Sequence, residues 1–238
     1  MSNTFLSADW ENLIMANYAV NPDLLEPYLP KGVELDCHQN KTYVSLVGFM
    51  FKKTSLFQIP IPLLGTFEEI NLRFYVKRKE GNTLKRGVVF INETVPYKMV
   101  AWLANKLYKE HYISIPTKNK ISVGKNDKFV RYEWKTNNEW NYLEVNAEAK
   151  KTEMKIGGIE EFIFEHYYGY TKLDGLQSQE YKVNHPRWLI NEVYNYAIQC
   201  DFNSMYGNSF AFLSDTEPNS VILAEGSKVT VDWKRTTF

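Results

Sequence analysis

Residues 67–76 alternate between apolar and polar side chains, and this period of two is typical of a β-strand. One face would carry Ile70, Leu72, Phe74 and Val76, and the other Glu69, Asn71, Arg73 and Tyr75. The neighbouring segments 43–51 and 87–91 are apolar on both faces, which indicates a sheet that is covered on both sides. We therefore expect the polar row to lie inside the protein, although a solvated row on a half-buried strand would show the same pattern.

Two members of this row, Glu69 and Arg73, lie four positions apart on the same face. If they are buried, each needs hydrogen bonds and a partner of opposite charge, so we expect them to pair. Buried ionisable groups in concave places are candidates for binding or catalysis. The sequence therefore predicts a polar site on this strand.

A helix is predicted at residues 96–108, because Pro96 suits the first turn of a helix. Val100, Leu103, Ala104 and Leu107 fall at helical spacing and predict the stripe that packs on the sheet. Lys98 would lie in the first turn, where the positive end of the helix dipole disfavours its charge. An activated amine is one interpretation of Lys98, and a solvated surface lysine is the other.

Further segments predict a largely β-sheet protein. We predict strands at 10–20, 112–123, 128–135, 139–149 and 193–200, a turn at Asn137 and Asn138, an apolar loop at 56–65, and a hairpin of 221–224 with 228–233 around Gly226. About ten short strands with few helices favour a mainly β (α+β) fold, with an antiparallel sheet closed into a barrel around a cavity and a few short peripheral helices. We expect a single domain over residues 1–238.

Composition limits the function classes. The 28 basic and 28 acidic residues balance, so no net field favours nucleic acid or an anionic membrane. No apolar run reaches the length of a membrane span, and Cys37 and Cys200 are far apart without metal-type spacing. We expect a cytoplasmic protein with a small-molecule ligand, without nucleic acid or membrane partners, and leave a homo-oligomer open.

A resemblance to the DUF2071 family extends over nearly the whole chain and rests on five segments: FEEINLRFYV, RGVVFINETVP, EFIFEHYYGY, EYKVNHPRW and AEGSKVTV. That family is similar in fold to acetoacetate decarboxylase. Residues 21–36 also resemble the helix and proline-ended loop that precede the core strands of the decarboxylases. The resemblance implies a cone-like antiparallel β-barrel with an internal pocket.

The resemblance also implies candidate chemistry. Decarboxylases of this fold use a lysine that forms a Schiff base with a keto acid, an adjacent lysine that lowers its pKa, and acidic residues in the pocket. By this resemblance Glu69 matches a pocket glutamate of the decarboxylases, and Glu93 matches the glutamate that precedes their catalytic segment. Lys98 lies one position away from the closest register, and no second lysine stands beside it. Glu69 and Lys98 are therefore the candidate catalytic residues.

The four histidines are His38, His111, His166 and His185, and no pair has the short spacing typical of a zinc site. We therefore predict no metal and no cofactor. A histidine among tyrosines, such as His166, is usually a hydrogen-bonded residue of a core or pocket. We include His166 among the candidate ligand-binding residues.

Three function classes remain open. The first is a barrel that binds a small acidic or polar metabolite, with Arg73 holding a carboxylate. The candidate ligand-binding residues are Asn71, Arg73, Tyr75, Glu93 and His166. The second is a decarboxylase-like enzyme acting on a keto acid, with Glu69 as acid–base group or Lys98 as amine. The third is an interaction protein that uses the aromatic residues of 167–170 and Trp188 at an interface.

Overall fold

The computed structural model describes residues 4–61, 64–173 and 177–238. Its strands are β1 (Thr4–Val20), β2 (Glu34–Leu35), β3 (Thr42–Leu56), β4 (Ile59–Pro60), β5 (Phe67–Glu80), β6 (Thr83–Val95), β7 (Tyr112–Ser114), β8 (Thr117–Val123), β9 (Asp127–Thr136), β10 (Glu139–Glu153), β11 (Tyr168–Lys172), β12 (Ser178–Asn184), β13 (Leu189–Gln199) and β14 (Ser220–Thr237). Its α-helices are α1 (Lys98–Tyr108), α2 (Ile159–Phe164) and α3 (Phe202–Tyr206), and 3-10 turns occupy Pro22–Leu24, Glu26–Tyr28 and Asn208–Asp215.

Of the described strands, seven form a barrel in the order β1-β3-β5-β6-β11-β12-β14, which the pairing of β1 with β14 closes. This confirms the predicted, mainly β fold with a few short helices. The pairing is mixed, however, because β6 runs parallel to both β11 and β7. The predicted antiparallel barrel differs from the structure in this detail alone, since chain connections through α1 and α2 return strands to β6 in the same direction.

The strands β8, β9, β10 and β13 form an outer sheet that joins the barrel through β14. This sheet covers the apolar face of β5, where Ile70, Leu72 and Phe74 lie in one buried cluster with Tyr132 and Trp134 of β9. The barrel therefore has a core on its outside as well as one within. Two cores explain why strands such as β3 are apolar on both faces.

The opposite face of β5 points into the barrel, as the sequence predicts. Glu69 is only 3% exposed, and Asn71 and Tyr75 are 1% exposed. Arg73 is partly buried beside them. The polar row is therefore inside the protein and is not a solvated face.

A β-bulge in β6 determines which of its side chains enter the barrel. Leu72 of β5 pairs with Asn92, whereas Arg73 pairs with Phe90, so Ile91 is an extra residue. Residues three apart point to opposite faces of a regular strand. Because of the bulge, Phe90 and Glu93 both line the interior.

Helix α1 begins at Lys98, two residues later than predicted, and Val100, Leu103 and Ala104 of the predicted stripe line the interior of the barrel. Leu107 packs instead against a smaller cluster that contains Phe5 and Tyr181. The stripe is therefore largely confirmed, and it covers a cavity as well as the sheet.

The predicted hairpin around Gly226 is wrong, because β14 runs without a turn from Ser220 to Thr237 and pairs with β1 on both sides of this glycine. Gly226 has a φ of 83°, and a Cβ there would lie 1.9 Å from the carbonyl oxygen of Trp10. The glycine therefore allows a close crossing of two strands and does not mark a loop.

Two smaller predictions have different outcomes. Asn137 and Asn138 form the predicted turn with φ of 49° and 66°, whereas the predicted strand 112–123 is divided into β7 and β8. The predicted loop 56–65 includes residues 62 and 63, which lie outside the described residues, and its Ile61 lines the interior.

Among the described residues, no helix is both long and apolar enough to cross a membrane.

Candidate functional site

The barrel encloses a cavity of about 140 Å³. Aromatic side chains form much of its wall, including Trp10, Phe51, Phe67, Phe90, Phe164 and Trp188. The polar side chains that line it include Glu69, Arg73, Glu93, Glu110, Tyr112 and His166. A few converging polar groups in an apolar cavity are typical of a small-molecule site.

Glu69 is held from both sides. Asn71 donates its amide to Oε1 at 2.9 Å, and Tyr112 donates its hydroxyl to Oε2 at 3.0 Å. Burial nevertheless raises the pKa of Glu69 to about 7, against the lowering effect of these two bonds and of the charge on Arg73. Glu69 can therefore hold or release a proton near neutral pH.

Tyr112 and Glu110 reach the cavity because Asn105 of α1 fixes the chain just after the helix. Its amide donates to the carbonyl oxygen of Tyr112 at 2.8 Å, and its Oδ1 accepts from the Tyr112 backbone N–H at 2.7 Å. Lys109, in a left-handed conformation with φ of 58°, ends the helix and turns the chain. This clamp places β7 beside β6, with Tyr112 opposite Glu93.

Glu110 accepts two hydrogen bonds at the same oxygen, Oε1, from Thr171 at 2.7 Å and from Tyr181 at 2.9 Å. Burial raises the pKa of Glu110 to about 7, and these bonds oppose that rise only in part. Burial also raises the pKa of Glu93 well above its ordinary value, and the neighbouring Glu110 and Glu69 raise it further. Glu69 and Glu110 therefore gain or lose a proton near neutral pH, and burial favours the protonated form of Glu93.

The guanidinium of Arg73 lines the same cavity, and its charge acts on Glu69 and Glu93. Within the part of the chain that the structure describes, no carboxylate oxygen lies within 4.0 Å of its nitrogens, and Nε has no hydrogen-bond partner. Its Nη2 lies 3.5 Å from the sulfur of Met15, which is a weak acceptor. The expected salt bridge between Glu69 and Arg73 is therefore wrong, since Glu69 is satisfied by Asn71 and Tyr112.

His166 also lines the cavity and lies between α2 and β11. A close approach of two backbones brings it there: Tyr167 donates its N–H to the Arg86 carbonyl at 3.0 Å, and a Cβ on Gly87 would lie 2.4 Å from the Tyr168 carbonyl oxygen. The Nε2 atom of His166 lies 3.2 Å from Oδ2 of Asp36. Only glycine permits this contact between β6 and the segment that carries the histidine.

Burial lowers the pKa of His166 to about 4, because the hydrogen bond with Asp36 opposes burial only in part and the charge on Arg86 lowers the pKa further. The ring is therefore neutral at pH 7. Its other nitrogen, Nδ1, has no partner among the described residues. The site thus contains an uncharged imidazole with one unused nitrogen.

The structure brings together only some of the predicted site residues. Glu69, Arg73, Glu93 and His166 line the cavity. Asn71 and Tyr75 are buried behind the lining, where Asn71 supports Glu69 and the Tyr75 hydroxyl lies 2.6 Å from Ser45 Oγ.

Lys98 does not belong to this group. It is exposed at the first residue of α1, and no lysine is among the described residues that line the cavity. The proposed role of Lys98 as an amine in the pocket therefore lacks a geometric basis, because the apolar side of α1 faces the cavity and Lys98 lies outside it.

The aromatic residues proposed for an interface are also placed inside. Trp188 is 4% exposed and lines the cavity, and Tyr170 is fully buried. The His185 ring stacks on Trp188 with centroids 4.2 Å apart. These residues build the core and the cavity wall, so the interaction-protein hypothesis loses its main support.

Sequence reasoning missed Glu110, Tyr112 and Tyr181. One signal for Glu110 was present: a carboxylate just beyond the end of a helix meets the negative end of the helix dipole, which is an unfavourable position. Such a placement indicates that tertiary contacts hold the acid there. Tyr181 carried no comparable local signal.

Groups of three or more metal-binding side chains with a suitable arrangement are absent from the described residues.

Solved structures with a similar fold include an acetoacetate decarboxylase and an acetoacetate decarboxylase-like enzyme. An acetoacetate decarboxylase-like enzyme from Sphingomonas wittichii RW1 gives a TM-score of 0.66 at 10% identity, covering 100% of this chain and 94% of that one. The acetoacetate decarboxylase from Legionella pneumophila gives 0.63 at 12% identity, over 98% of this chain and 88% of that one. The enduracididine biosynthesis enzyme MppR, complexed with pyruvate, gives a TM-score of 0.65 at 10% identity, covering 100% of this chain and 91% of that one. At these identities the likeness shows the fold alone.

In sequence, the chain is 26% identical over 128 residues to the uncharacterized protein YqjF of Bacillus subtilis (strain 168). The match covers 50% of this chain and 51% of YqjF, which is about half the length of that relative. The pattern of one family, described as an uncharacterized conserved protein, matches residues 7–228. The chain therefore belongs to the DUF2071 family.

Proposed function

We propose that the protein binds a small carboxylic acid in the barrel cavity, with Arg73 as the partner of the ligand's carboxylate. The observation that carries this proposal is the unpaired guanidinium: Arg73 lines the cavity, its Nε is unsatisfied, and no described carboxylate lies within 4.0 Å. A partly buried cation without a counter-ion is unfavourable. A ligand carboxylate can accept two parallel N–H bonds from a guanidinium and remove that cost.

The protonation of the glutamates supports this choice of ligand. Because the pKa values of Glu69 and Glu110 are raised to about 7 and that of Glu93 is raised well above its ordinary value, these side chains are largely uncharged below neutral pH. Arg73 then gives the cavity a positive charge. An anion is therefore a better ligand for this cavity than a cation.

The size of the cavity limits the ligand to a few carbon atoms. A cavity of about 140 Å³ is close in volume to an engineered protein cavity that holds benzene. The aromatic wall suits a short alkyl chain. That MppR, a protein of the same fold, is complexed with pyruvate supports a short acid as the ligand class.

Binding can be tested by calorimetry with a panel of acids of two to five carbons. We expect wild type to bind at least one of them, and Arg73→Met to bind it about 30-fold or more weakly, because a buried carboxylate would lose its charged partner. Arg131→Met is the matched control, since Arg131 pairs with Glu144 at 2.5 Å on the outer sheet. Unchanged binding in Arg73→Met, or no binding of any acid to wild type, contradicts the proposal.

A second candidate function is proton transfer at the carbon next to a keto group. The observation in its favour is that burial raises the pKa values of Glu69 and Glu110 to about 7, near the value at which a general base works best at neutral pH. It can be tested by following exchange of the methyl protons of pyruvate in deuterated water by NMR. We expect Glu69→Gln to reduce any exchange that wild type catalyses. If the exchange rate with wild type is no higher than the rate in buffer alone, this candidate function is wrong.

A further inference from the structure

Asp36 is surrounded by hydrogen-bond donors. The Cys37 backbone N–H donates to Oδ1 at 3.0 Å, and Arg86 Nε donates to Oδ2 at 2.6 Å. Neither a backbone N–H nor a guanidinium can accept a hydrogen bond. Burial by itself raises the pKa of Asp36, but the bonds from His166 and Arg86 outweigh it and hold the pKa well below its usual value. Asp36 is therefore an ionised carboxylate that can only accept.

This fixes the tautomer of His166. Its Nε2 lies 3.2 Å from Asp36 Oδ2, the same oxygen that accepts from Arg86. Because that oxygen carries no proton, the hydrogen between the two residues must be on Nε2. In a neutral ring the remaining nitrogen, Nδ1, then has a free lone pair and no hydrogen. Nδ1 is an acceptor, and no described residue donates to it.

His166 and Arg73 lie close to a common residue, Tyr75. The Arg73 Cζ atom is 5.7 Å from the centroid of the Tyr75 ring, and the centroid of the His166 ring is 4.9 Å from the same point. Both groups therefore lie against the same ring, and both line the same cavity, where one short ligand can contact them together.

We propose that His166 Nδ1 accepts a hydrogen bond from a hydroxyl group of the ligand, so that the cavity selects hydroxy acids over the corresponding deoxy acids. This proposal rests on the proposed function, because it needs Arg73 to hold the carboxylate. A buried acceptor without a donor is unfavourable, and a ligand hydroxyl satisfies it. Sites built to bond a hydroxyl reject the analogue that lacks it.

An ammonium group would also donate, but the electrostatics at His166 disfavour it. The charges of Arg86 and Arg73 lower the pKa of His166 and the charge of Asp36 raises it, so two positive charges and one negative charge act on the ring. A second cation placed against Nδ1 meets the net positive charge of these groups. A neutral hydroxyl does not, so the ligand class is a hydroxy acid and not an amino acid.

Calorimetry with four matched probes tests the selectivity: 2-hydroxybutanoate, 3-hydroxybutanoate, butanoate and 2-aminobutanoate. We expect at least one hydroxy acid to bind wild type about tenfold more tightly than butanoate, the effect of one good hydrogen bond. In His166→Phe this ratio should fall to about one while butanoate binding changes little. His185→Phe is the matched control, because His185 also lines the cavity but its Nδ1 lies 2.9 Å from the Pro186 carbonyl. It should keep the tenfold ratio.

The outcomes separate the two proposals. If butanoate and both hydroxy acids bind wild type equally, or if 2-aminobutanoate binds best, the hydroxyl inference is wrong and carboxylate binding stands. If no acid binds, both are wrong. Should His166→Phe not fold, the ratios measured on wild type still decide.

A measurement without ligand tests the tautomer itself. Long-range proton–nitrogen NMR spectra of the histidine rings distinguish the two neutral tautomers and the imidazolium. At pH 7 we expect His166 with its hydrogen on Nε2. A hydrogen on Nδ1, or a doubly protonated ring, would overturn the inference.

Discussion

Arg73 and Glu69 extend from the same strand into the same cavity, yet no nitrogen of Arg73 lies within 4.0 Å of either carboxylate oxygen of Glu69, both residues being in the described part of the chain. The two oxygens accept from Asn71 and Tyr112 instead. If Arg73 serves ligand binding and has no partner in the folded protein, its partly buried charge should lower the free energy of unfolding. Arg73→Met is therefore expected to leave the free energy of unfolding unchanged or to raise it by about 1–2 kcal/mol, as measured by chemical denaturation.

The comparison variant is Arg78→Met. Arg78 lies 3.1 Å from the buried Glu180, so its removal weakens an existing ion pair and should lower the unfolding free energy by about 1–3 kcal/mol. The remaining partner Lys85, 2.6 Å from Glu180, limits that loss. If Arg73→Met is instead the more destabilising of the two variants, Arg73 has a structural partner and the conclusion that its guanidinium is unpaired is wrong.

Glu110→Gln should change how stability depends on pH. The amide oxygen can keep the bonds from Thr171 and Tyr181, while the charge is removed. The pKa of Glu110 is raised from 4.5 to about 7 in the folded protein, so the native state binds more protons than the unfolded state between these values. Wild type therefore loses stability through this group as the pH rises from 4.5 through 7, and the variant does not.

At pH 5 we expect wild type and Glu110→Gln to have similar unfolding free energies. At pH 8 the variant should be more stable by up to about 3 kcal/mol, since one pKa unit corresponds to about 1.4 kcal/mol. Urea denaturation across this pH range measures the difference. A constant difference between pH 5 and pH 8 would show that Glu110 ionises at its ordinary pKa in the folded state.

Ligand affinity should fall as the pH rises through 7. Glu69 and Glu110, with pKa values of about 7, become negative in this range and oppose a carboxylate beside Arg73. We expect the dissociation constant of a bound acid to rise by about tenfold between pH 6 and pH 8.5, measured by calorimetry. Glu110→Gln should weaken this dependence of affinity on pH. An affinity that rises with pH in wild type would contradict the prediction.

Gly87→Ala should be strongly destabilising. The added Cβ would lie 2.4 Å from the carbonyl oxygen of Tyr168, a backbone atom that cannot move without separating β6 from β11. We expect a loss of about 2–4 kcal/mol in thermal or chemical unfolding. Gly124→Ala is the control, because its nearest contact would be 3.5 Å and the effect should stay below about 1 kcal/mol.

The sequence predicted the parts of the site that depend on a local pattern. The alternation along β5 follows directly from strand geometry, so it placed Glu69 and Arg73 on one inward face without knowledge of the rest of the chain. The stripe on α1 was predictable for the same reason. The turn at Asn137 and Asn138 was predictable because asparagine tolerates a left-handed conformation.

The parts that were missed depend on contacts between distant segments. Glu110 reaches the cavity because Asn105 clamps the chain beyond α1, and its partners Thr171 and Tyr181 come from other strands. The bulge at Ile91 changes which residues of β6 face inward, and no local residue preference marks it. Gly226 was interpreted as a turn because glycine signals both turns and close approaches, and only the packing distinguishes them.

The closure of the barrel by β1 and β14 has a consequence for how the chain folds. Asn17 and Ser220, whose side chains are 3.0 Å apart across this seam, are separated by 203 positions. Contacts between such distant residues form late, because the entropy of closing a long loop must be overcome first. During synthesis β1 therefore keeps one unpaired edge until residues 220–237 have left the ribosome, and an unpaired edge invites aggregation. A nascent chain arrested before Ser220 is the form that most needs a chaperone.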